Sequence, residues 1–369
     1  MKKMYFLIIL FFLAFKGNTQ APPNNPPAVI KDYYHLETKA EQAERLTWFT
    51  AAKYGMFIHF GLSSQLGGRW KGNQIKGYSE WIQAFASIKG KTYSELIKTF
   101  NPEKFNAEEI VKAAKESGMT YLVITSKHHE GFCLWDSKYT DFDIGNTPYQ
   151  KDIIKQLKEA CDKYDLRFGI YYSVLDWHHG SQVSLTSPCR DWFSIYSHYR
   201  PRMKVSQKAA YIEYMNNQLA ELVANYNPDI LWFDGAWQFW WKHKDAVNLY
   251  NYVRNLKPSI IINNRYGNSA GKYDKDFKTP EQRSNENSGL PWEACYTLNS
   301  SWGYKIDDEN YKEADVVWQK LKDINVRGGN LLLNIGPKGD GSVPSKSIER
   351  LKEIKVLIDG QKEVIKLKE

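Results

Sequence analysis

Several things are scarce in this chain, and each scarcity excludes something. Beyond Phe15 no run of about 18 or more apolar residues occurs, so nothing past the N-terminus reads as a membrane span. There are only four cysteines (Cys133, Cys161, Cys189 and Cys295), far apart and with no Cys-x-x-Cys pair. That argues against a metal cage, and spacing alone does not decide whether a disulfide forms. No Gly-x-Gly-x-x-Gly or phosphate loop follows the first strand-like segment, which leaves nucleotide binding without support. Charge of one sign is not concentrated either. Basic residues alternate with acids along helical faces, as in Lys112-Ala-Ala-Lys-Glu116, and no basic stripe of the kind that holds nucleic acid forms.

What is present begins with a leader. Lys2 and Lys3 precede an apolar stretch from Tyr5 to Phe15, then Lys16 and Gly17-Asn-Thr-Gln20, the order of a cleavable export signal over residues 1–20. Its apolar part is too short to span a bilayer, so the mature chain is expected to be secreted or periplasmic. Three lysines leave with it, and the formal charge of +8 falls to about +5, mild for a chain of this length. A proline-rich segment, Ala21-Pro-Pro-Asn-Asn-Pro-Pro27, reads as an extended linker over 21–30. Aromatic residues make up 15% of the chain, more than a core of this size needs, so some rings are expected to line a site.

From residue 31 to 345, strand-like runs alternate with helical ones. Tyr54–Gly61, Tyr121–His129, Arg167–Ser173, Ile230–Asp234, Ser259–Arg265 and Asn330–Gly336 read as strands, with a weaker member at Trp292–Leu298. Between them, Asn106-Ala-Glu-Glu109 resembles a capping box ahead of the stripe Ile110, Val111 and Ala114, and Gly118 is placed to end that helix. Pro228 closes another helix before the fourth strand. Apolar strands buried on both faces and alternating with helices predict an α/β fold, a (β/α)8-type barrel, over an open doubly wound sheet. Residues 346–369 read as a C-terminal helix and tail.

A barrel brings the C-terminal ends of its strands to one mouth. Those ends carry His59, then His128 and His129, then Tyr171 and Tyr172 with Asp176 and Trp177 just beyond, then Trp232 and Asp234, then Arg265. Imidazole, phenol and carboxylate suit sugar hydroxyls, and indole suits a sugar's apolar face. Each also has a plainer reading. A lone strand-end histidine is ordinarily a satisfied structural group, but an adjacent pair in Lys127-His-His-Glu-Gly131 beside a third on the first strand favours substrate contact. Asp234 also reads as a helix N-cap. Arg265 also reads as a salt-bridge donor, although a guanidinium beside a nucleophilic carboxylate would hold it ionised. Zinc binding by the histidines is the weaker reading, since the first strand carries no His-x-His pair.

Together the segments Ile58-His-Phe-Gly61, Ser79-Glu-Trp81, Ser126-Lys-His-His-Glu-Gly-Phe132, Leu231-Trp-Phe-Asp-Gly235, Asn263-Asn-Arg265, Trp292-Glu-Ala-Cys295, Ser301-Trp-Gly-Tyr304 and Gly328-Gly-Asn-Leu-Leu-Leu-Asn-Ile-Gly-Pro337 resemble an α-L-fucosidase of glycoside hydrolase family 29. The resemblance implies a retaining exo-fucosidase acting on fucosylated glycans with no cofactor and no metal. It implies Asp234 as nucleophile and a fucose pocket of His59, Glu80, Trp81, His128, His129, Tyr171, Trp232 and Arg265. The acid/base is sought after the Asn-Asn-Arg strand, where Glu281 is preferred to Glu293 and Glu286 is third. Glu293 equally reads as a structural carboxylate. Such a pair lies about 5–5.5 Å apart in retaining enzymes. Family members often continue into a C-terminal β-sandwich, of which this sequence shows no evident trace, and a homo-oligomer is left open. A glycan-binding pseudoenzyme and a metal-dependent barrel hydrolase are the alternatives. The tryptophan-rich Gln238-Phe-Trp-Trp241 reads either as a subsite for the next sugar or as packing.

Overall fold

The computed structural model describes residues 30–182, 185–186, 205–238, 240–267, 273, 275–284 and 289–366. The expected leader, the proline-rich segment to residue 29, Cys189, Phe239 and Glu286 lie outside them. The apolar runs form seven parallel strands: β1 (Tyr54–Ile58), β2 (Tyr121–Lys127), β3 (Arg167–Ser173), β4 (Ile230–Asp234), β5 (Ile261–Ile262), β6 (Glu293–Thr297) and β7 (Asn330–Ile335). They pair in the order β5-β4-β3-β2-β1-β7-β6 and curl into a (β/α)8-type barrel.

The gap between β5 and β6 is taken by residues 277–281. Parallel bridges join Asn263 to Phe277, Lys278 to Trp292 and Glu281 to Cys295. The Lys278 N–H donates to the Pro291 carbonyl, the Glu293 N–H to Lys278, the Cys295 N–H to Pro280 and the Gln282 N–H to Cys295. Sequence pattern does not reveal this eighth strand position, because Phe277-Lys-Thr-Pro-Glu281 has one large apolar residue and a proline that cannot donate to a ladder. The short β5 is extended by a side chain: the Asn263 amide accepts the Phe233 N–H at 2.7 Å and donates to its carbonyl at 2.8 Å.

Strand alternation then separates two cores. Phe57, Tyr121, Val123, Tyr171, Ile230, Trp232, Ile261, Phe277, Cys295 and Leu332 point inward and fill the barrel. Their neighbours Met56, Ile58, Leu122, Ile124, Ile170, Leu231, Phe233, Leu331 and Leu333 face the helical layer. Helix α1 (Lys39–Ala52), capped by a Thr38–Glu41 capping box, closes the N-terminal end by adding Leu46, Phe49 and Ala52 to the inner cluster. Beside it lies a closed ionic network. Arg45 donates to Glu37 at 2.8 Å and to Asp276 at 2.7 Å, Arg254 donates to Glu37 at 2.8 Å, and Asp276 also accepts the Ile262 N–H at 2.8 Å.

The outer layer is α2 (Ala107–Glu116), α3 (Ile153–Lys163), α4 (Val205–Tyr226), α5 (His243–Leu256), α6 (Ala314–Val326) and α7 (Ser345–Lys366). Asn106 accepts the Glu109 N–H at 3.1 Å as the α2 N-cap, and Gly118, at φ +86°, turns the chain out of the helix end. Helix α7 packs on α6 and α2 and buries Leu351 and Ile354. Among the described residues no helix is long and apolar enough to cross a membrane.

Candidate active site

The C-terminal ends of the strands surround a cavity of about 640 Å³ lined by His59, Glu80, Trp81, His128, His129, Tyr171, Trp232, Asp234, Arg265 and Glu281, together with Phe57, Tyr78, Phe85, Trp237, Thr279, Cys295 and Trp302 among others. Glu293 is not among the lining residues. Most of the site hangs on strand ends: His59 follows β1, His128 and His129 follow β2, Tyr171 lies in β3, Trp232 and Asp234 in β4. Arg265 sits in a 3-10 turn just after β5, and Glu281 ends the eighth strand position. Glu80 and Trp81 come from a 3-10 turn, Ser79–Trp81, in the long connection between β1 and α2.

Asp234 ends β4 and does not cap a helix, since α5 begins only at His243. Gly235 follows at φ +75°, where an added Cβ would lie 2.7 Å from the Leu175 nitrogen, so only glycine lets the strand leave the barrel here. Burial raises the pKa of Asp234 above the ordinary carboxylate value, and Arg265, the Gly235 N–H and the Tyr171 hydroxyl at 3.2 Å restrain the rise.

Arg265 joins the two carboxylates. Its Nη1 lies 3.6 Å from Asp234 Oδ1 and 3.0 Å from Glu281 Oε2, so the nearest carboxylate oxygens are no farther apart than those two distances laid end to end. The guanidinium is held by Thr279, through Nε to Oγ1 at 2.9 Å and Nη2 to the carbonyl at 3.0 Å, and lies over the Trp232 ring.

Glu293 stands behind this layer. It is fully buried, accepting from the Tyr121 hydroxyl at 2.6 Å and from Trp232 Nε1 at 2.9 Å. Burial pushes its pKa up to about 7 against those two bonds. With both oxygens engaged away from the cavity, it holds the indole on which Tyr171 stacks and Arg265 lies.

Glu80 differs. Its Oε2 accepts the Gly303 N–H at 2.8 Å and the Ser301 hydroxyl at 3.2 Å, while buried Oε1 has no hydrogen-bond partner among the described residues. Burial pushes its pKa up to about 7. An oxygen of this kind, in a cavity wall, is set to meet a ligand.

The three imidazoles are neutral. Burial drives His59 and His129 down to about 3, and His128 falls well below its ordinary value through burial and its two neighbours. The 3.9 Å approach of His129 Nε2 to Asp234 Oδ2 is therefore a packing distance and not an ion pair. Among the described residues no group of three or more His, Cys, Asp or Glu is arranged to hold a metal ion.

Several residues outside the pocket expected from sequence also build this site, and Asp176, a strand-end candidate, turns to Lys127 instead of the cavity. Trp302 packs on His59 at 5.1 Å between ring centroids. Glu130 accepts from the Leu62 and Ser63 N–H groups and the Tyr93 hydroxyl, tying the loop after β1 to the histidine pair. Asp176 pairs with Lys127 at 2.8 Å, both fully buried, and accepts the His178 and His179 N–H groups. Within the tryptophan-rich segment, of which Phe239 lies outside the described residues, Trp241 serves packing: it is buried and donates to the Tyr266 carbonyl at 2.8 Å. The aromatic rim is supplied instead by Trp81, stacked between Phe85 and Trp237.

A family model described as Alpha-L-fucosidase matches residues 24–360. The chain is 32% identical over 325 residues to plasma alpha-L-fucosidase of Homo sapiens, covering 83% of this chain and 66% of that one. It is 28% identical over 366 residues to tissue alpha-L-fucosidase of the same species, covering 94% and 73%. It spans 64% of the length of a Caenorhabditis elegans relative. Among solved structures, alpha-L-fucosidase AlfC from Lactobacillus casei in complex with alpha-L-fucose product superposes with a TM-score of 0.75 at 34% identity, over 87% of this chain and 99% of that one. Isoenzyme 1 from Paenibacillus thiaminolyticus gives 0.74 at 35%, over 86% and 76%.

Proposed function

Because this chain belongs to the α-L-fucosidase family, we propose that it is an exo-acting retaining α-L-fucosidase that releases terminal α-L-fucose from glycans in two displacements. On the export reading of residues 1–20, those glycans lie outside the cytoplasm. Asp234 attacks the anomeric carbon, the bond to the leaving oxygen breaks as Glu281 protonates it, and Glu281 then takes a proton from the water that opens the fucosyl-enzyme ester. Tyr171 and Arg265 hold Asp234 from two sides and stabilise its charge before attack. The observation that carries the reading is the bridging of two carboxylates by one guanidinium, that of Arg265, in a cavity walled by rings.

Hydrolysis of an aryl α-L-fucoside by the purified protein, beside Asp234→Ala, tests this. Release of fucose that vanishes in the variant is expected, and a folded wild-type protein that binds fucose without releasing it would instead be a glycan-binding pseudoenzyme. A second reading of the acid/base is favoured by the state of Glu80, whose pKa burial raises to about 7 and whose Oε1 has no hydrogen-bond partner among the described residues. Azide separates the two. Rescue of Glu281→Ala on an activated leaving group keeps the assignment, and rescue of Glu80→Ala alone transfers it.

A further inference from the structure

Two hydrogen-bond chains behind the histidines determine which ring nitrogen is bare. Ser173 Oγ lies 2.6 Å from the Leu175 carbonyl and 2.6 Å from His129 Nδ1. A carbonyl only accepts, so the single hydroxyl proton points at Leu175, and Nδ1 must supply the proton of the second bond. His59 Nδ1 lies 2.6 Å from Asn334 Oδ1, and the Asn334 amide is oriented by Nδ2 donating to the Trp302 carbonyl at 2.6 Å. There too the imidazole must donate. Both rings are neutral, so each carries its one proton on Nδ1 and a lone pair on Nε2.

We propose that Ser173 and Asn334 are positioning residues that lock His129 and His59 in the Nδ1–H tautomer, so that the pocket meets its ligand with two hydrogen-bond acceptors from imidazole. The ligand that satisfies them carries at least two hydroxyl donors on one face. A carboxylate or sulfate substituent there would set lone pairs against lone pairs and be rejected. This deepens the fucosidase reading and rests on it for the identity of the sugar. His128, packed between the two rings, has no such lock on its Nδ1 among the described residues and adapts to whichever group is left.

The test is a long-range ¹H–¹⁵N correlation spectrum of the full chain, labelled in histidine, ligand-free and near neutral pH, with rings assigned by single His→Gln substitutions. Nδ1–H patterns are expected for both His59 and His129, and an Nε2–H pattern for either overturns the proposal. Ser173→Ala removes the acceptor behind His129; its Nδ1–H pattern is expected to be lost, with KM for an aryl α-L-fucoside rising about tenfold and kcat moving less. A variant that keeps both tautomer and KM also overturns it. Asn334→Asp offers His59 the same acceptor and should preserve the pattern that Asn334→Ala loses. Should a variant not fold, the wild-type spectrum still decides. Nδ1–H tautomers without fucoside hydrolysis leave the lock standing and change the sugar, whereas hydrolysis with Nε2–H tautomers does the reverse.

Discussion

The two ends of this barrel are both rich in charge and aromatic rings, yet they handle charge in opposite ways. At the N-terminal end, Glu37, Arg45, Asp276 and Arg254 pair in a closed network with nearly every donor and acceptor used. At the C-terminal end, Asp234, Glu80 and Glu281 share a cavity in which Arg265 contacts two of them, and Glu80 Oε1 and His128 Nδ1 have no hydrogen-bond partner among the described residues. A satisfied network holds the fold, and atoms left unsatisfied at a cost of about 1–3 kcal/mol each are worth keeping only where a ligand completes them. Charge content does not distinguish the ends; the number of open valences does.

The sharpest way to break this comparison is to mutate one residue at each end. Asp234→Ala is expected to lower kcat on an aryl fucoside by about 10⁴-fold or more while leaving the melting temperature nearly unchanged. Arg45→Met is expected to reverse that pattern, costing about 3–5 kcal/mol in denaturant unfolding because Asp276 loses its arginine and Glu37 one of its two, with kcat per folded molecule unaltered. If Arg45→Met changed kcat and not stability, the division between the two ends would fail.

A middle-sized effect should appear with pH, and with opposite signs at the two ends. Glu37 is held down to about 2 by its two arginines despite burial, so its contribution is present above the ordinary carboxylate value near 4.5 and is lost as pH falls towards 2. Glu80 and Glu293 are raised to about 7; they bind a proton more tightly folded than unfolded, so their contribution is present below about 4.5 and is lost as pH rises through 7. Chemical unfolding from pH 3 to 8 should therefore show Arg45→Met flattening the acid limb, and Glu80→Gln flattening the decline towards neutrality.

Smaller effects sharpen the mouth itself. Trp81→Ala, which removes the ring stacked between Phe85 and Trp237, should raise KM for a disaccharide about five- to tenfold and for an aryl fucoside less, at similar kcat. Trp241→Phe should cost about 1–3 kcal/mol through the orphaned Tyr266 carbonyl and leave KM unchanged, because that indole packs under the loop and meets no ligand. A KM change there would restore the subsite reading of Gln238–Trp241.

Much of this was legible before any fold was known. Apolar runs such as Ile230–Phe233 mark strands because a strand buried on both faces must be apolar throughout, and Asp234, His59, His128, His129, Tyr171 and Arg265 were legible because a barrel gathers strand ends. The eighth strand position was not, since Phe277-Lys-Thr-Pro-Glu281 draws its ladder from the neighbouring Pro291–Cys295 backbone and not from an apolar pattern of its own. Glu281 and Glu293 look alike in sequence. They part only when one side chain reaches the cavity and the other turns to Tyr121 and Trp232.

The sequence by itself determined the alternation of strands and helices, the chemical types at the mouth and the family, because these depend on local periodicity and on short motifs. Only the tertiary structure decided which carboxylates share a guanidinium, which imidazole nitrogen is bare and which tryptophan faces the cavity. Each of those depends on the direction of a side chain relative to partners far along the chain, as with His59 and Asn334, and sequence spacing carries no information about direction.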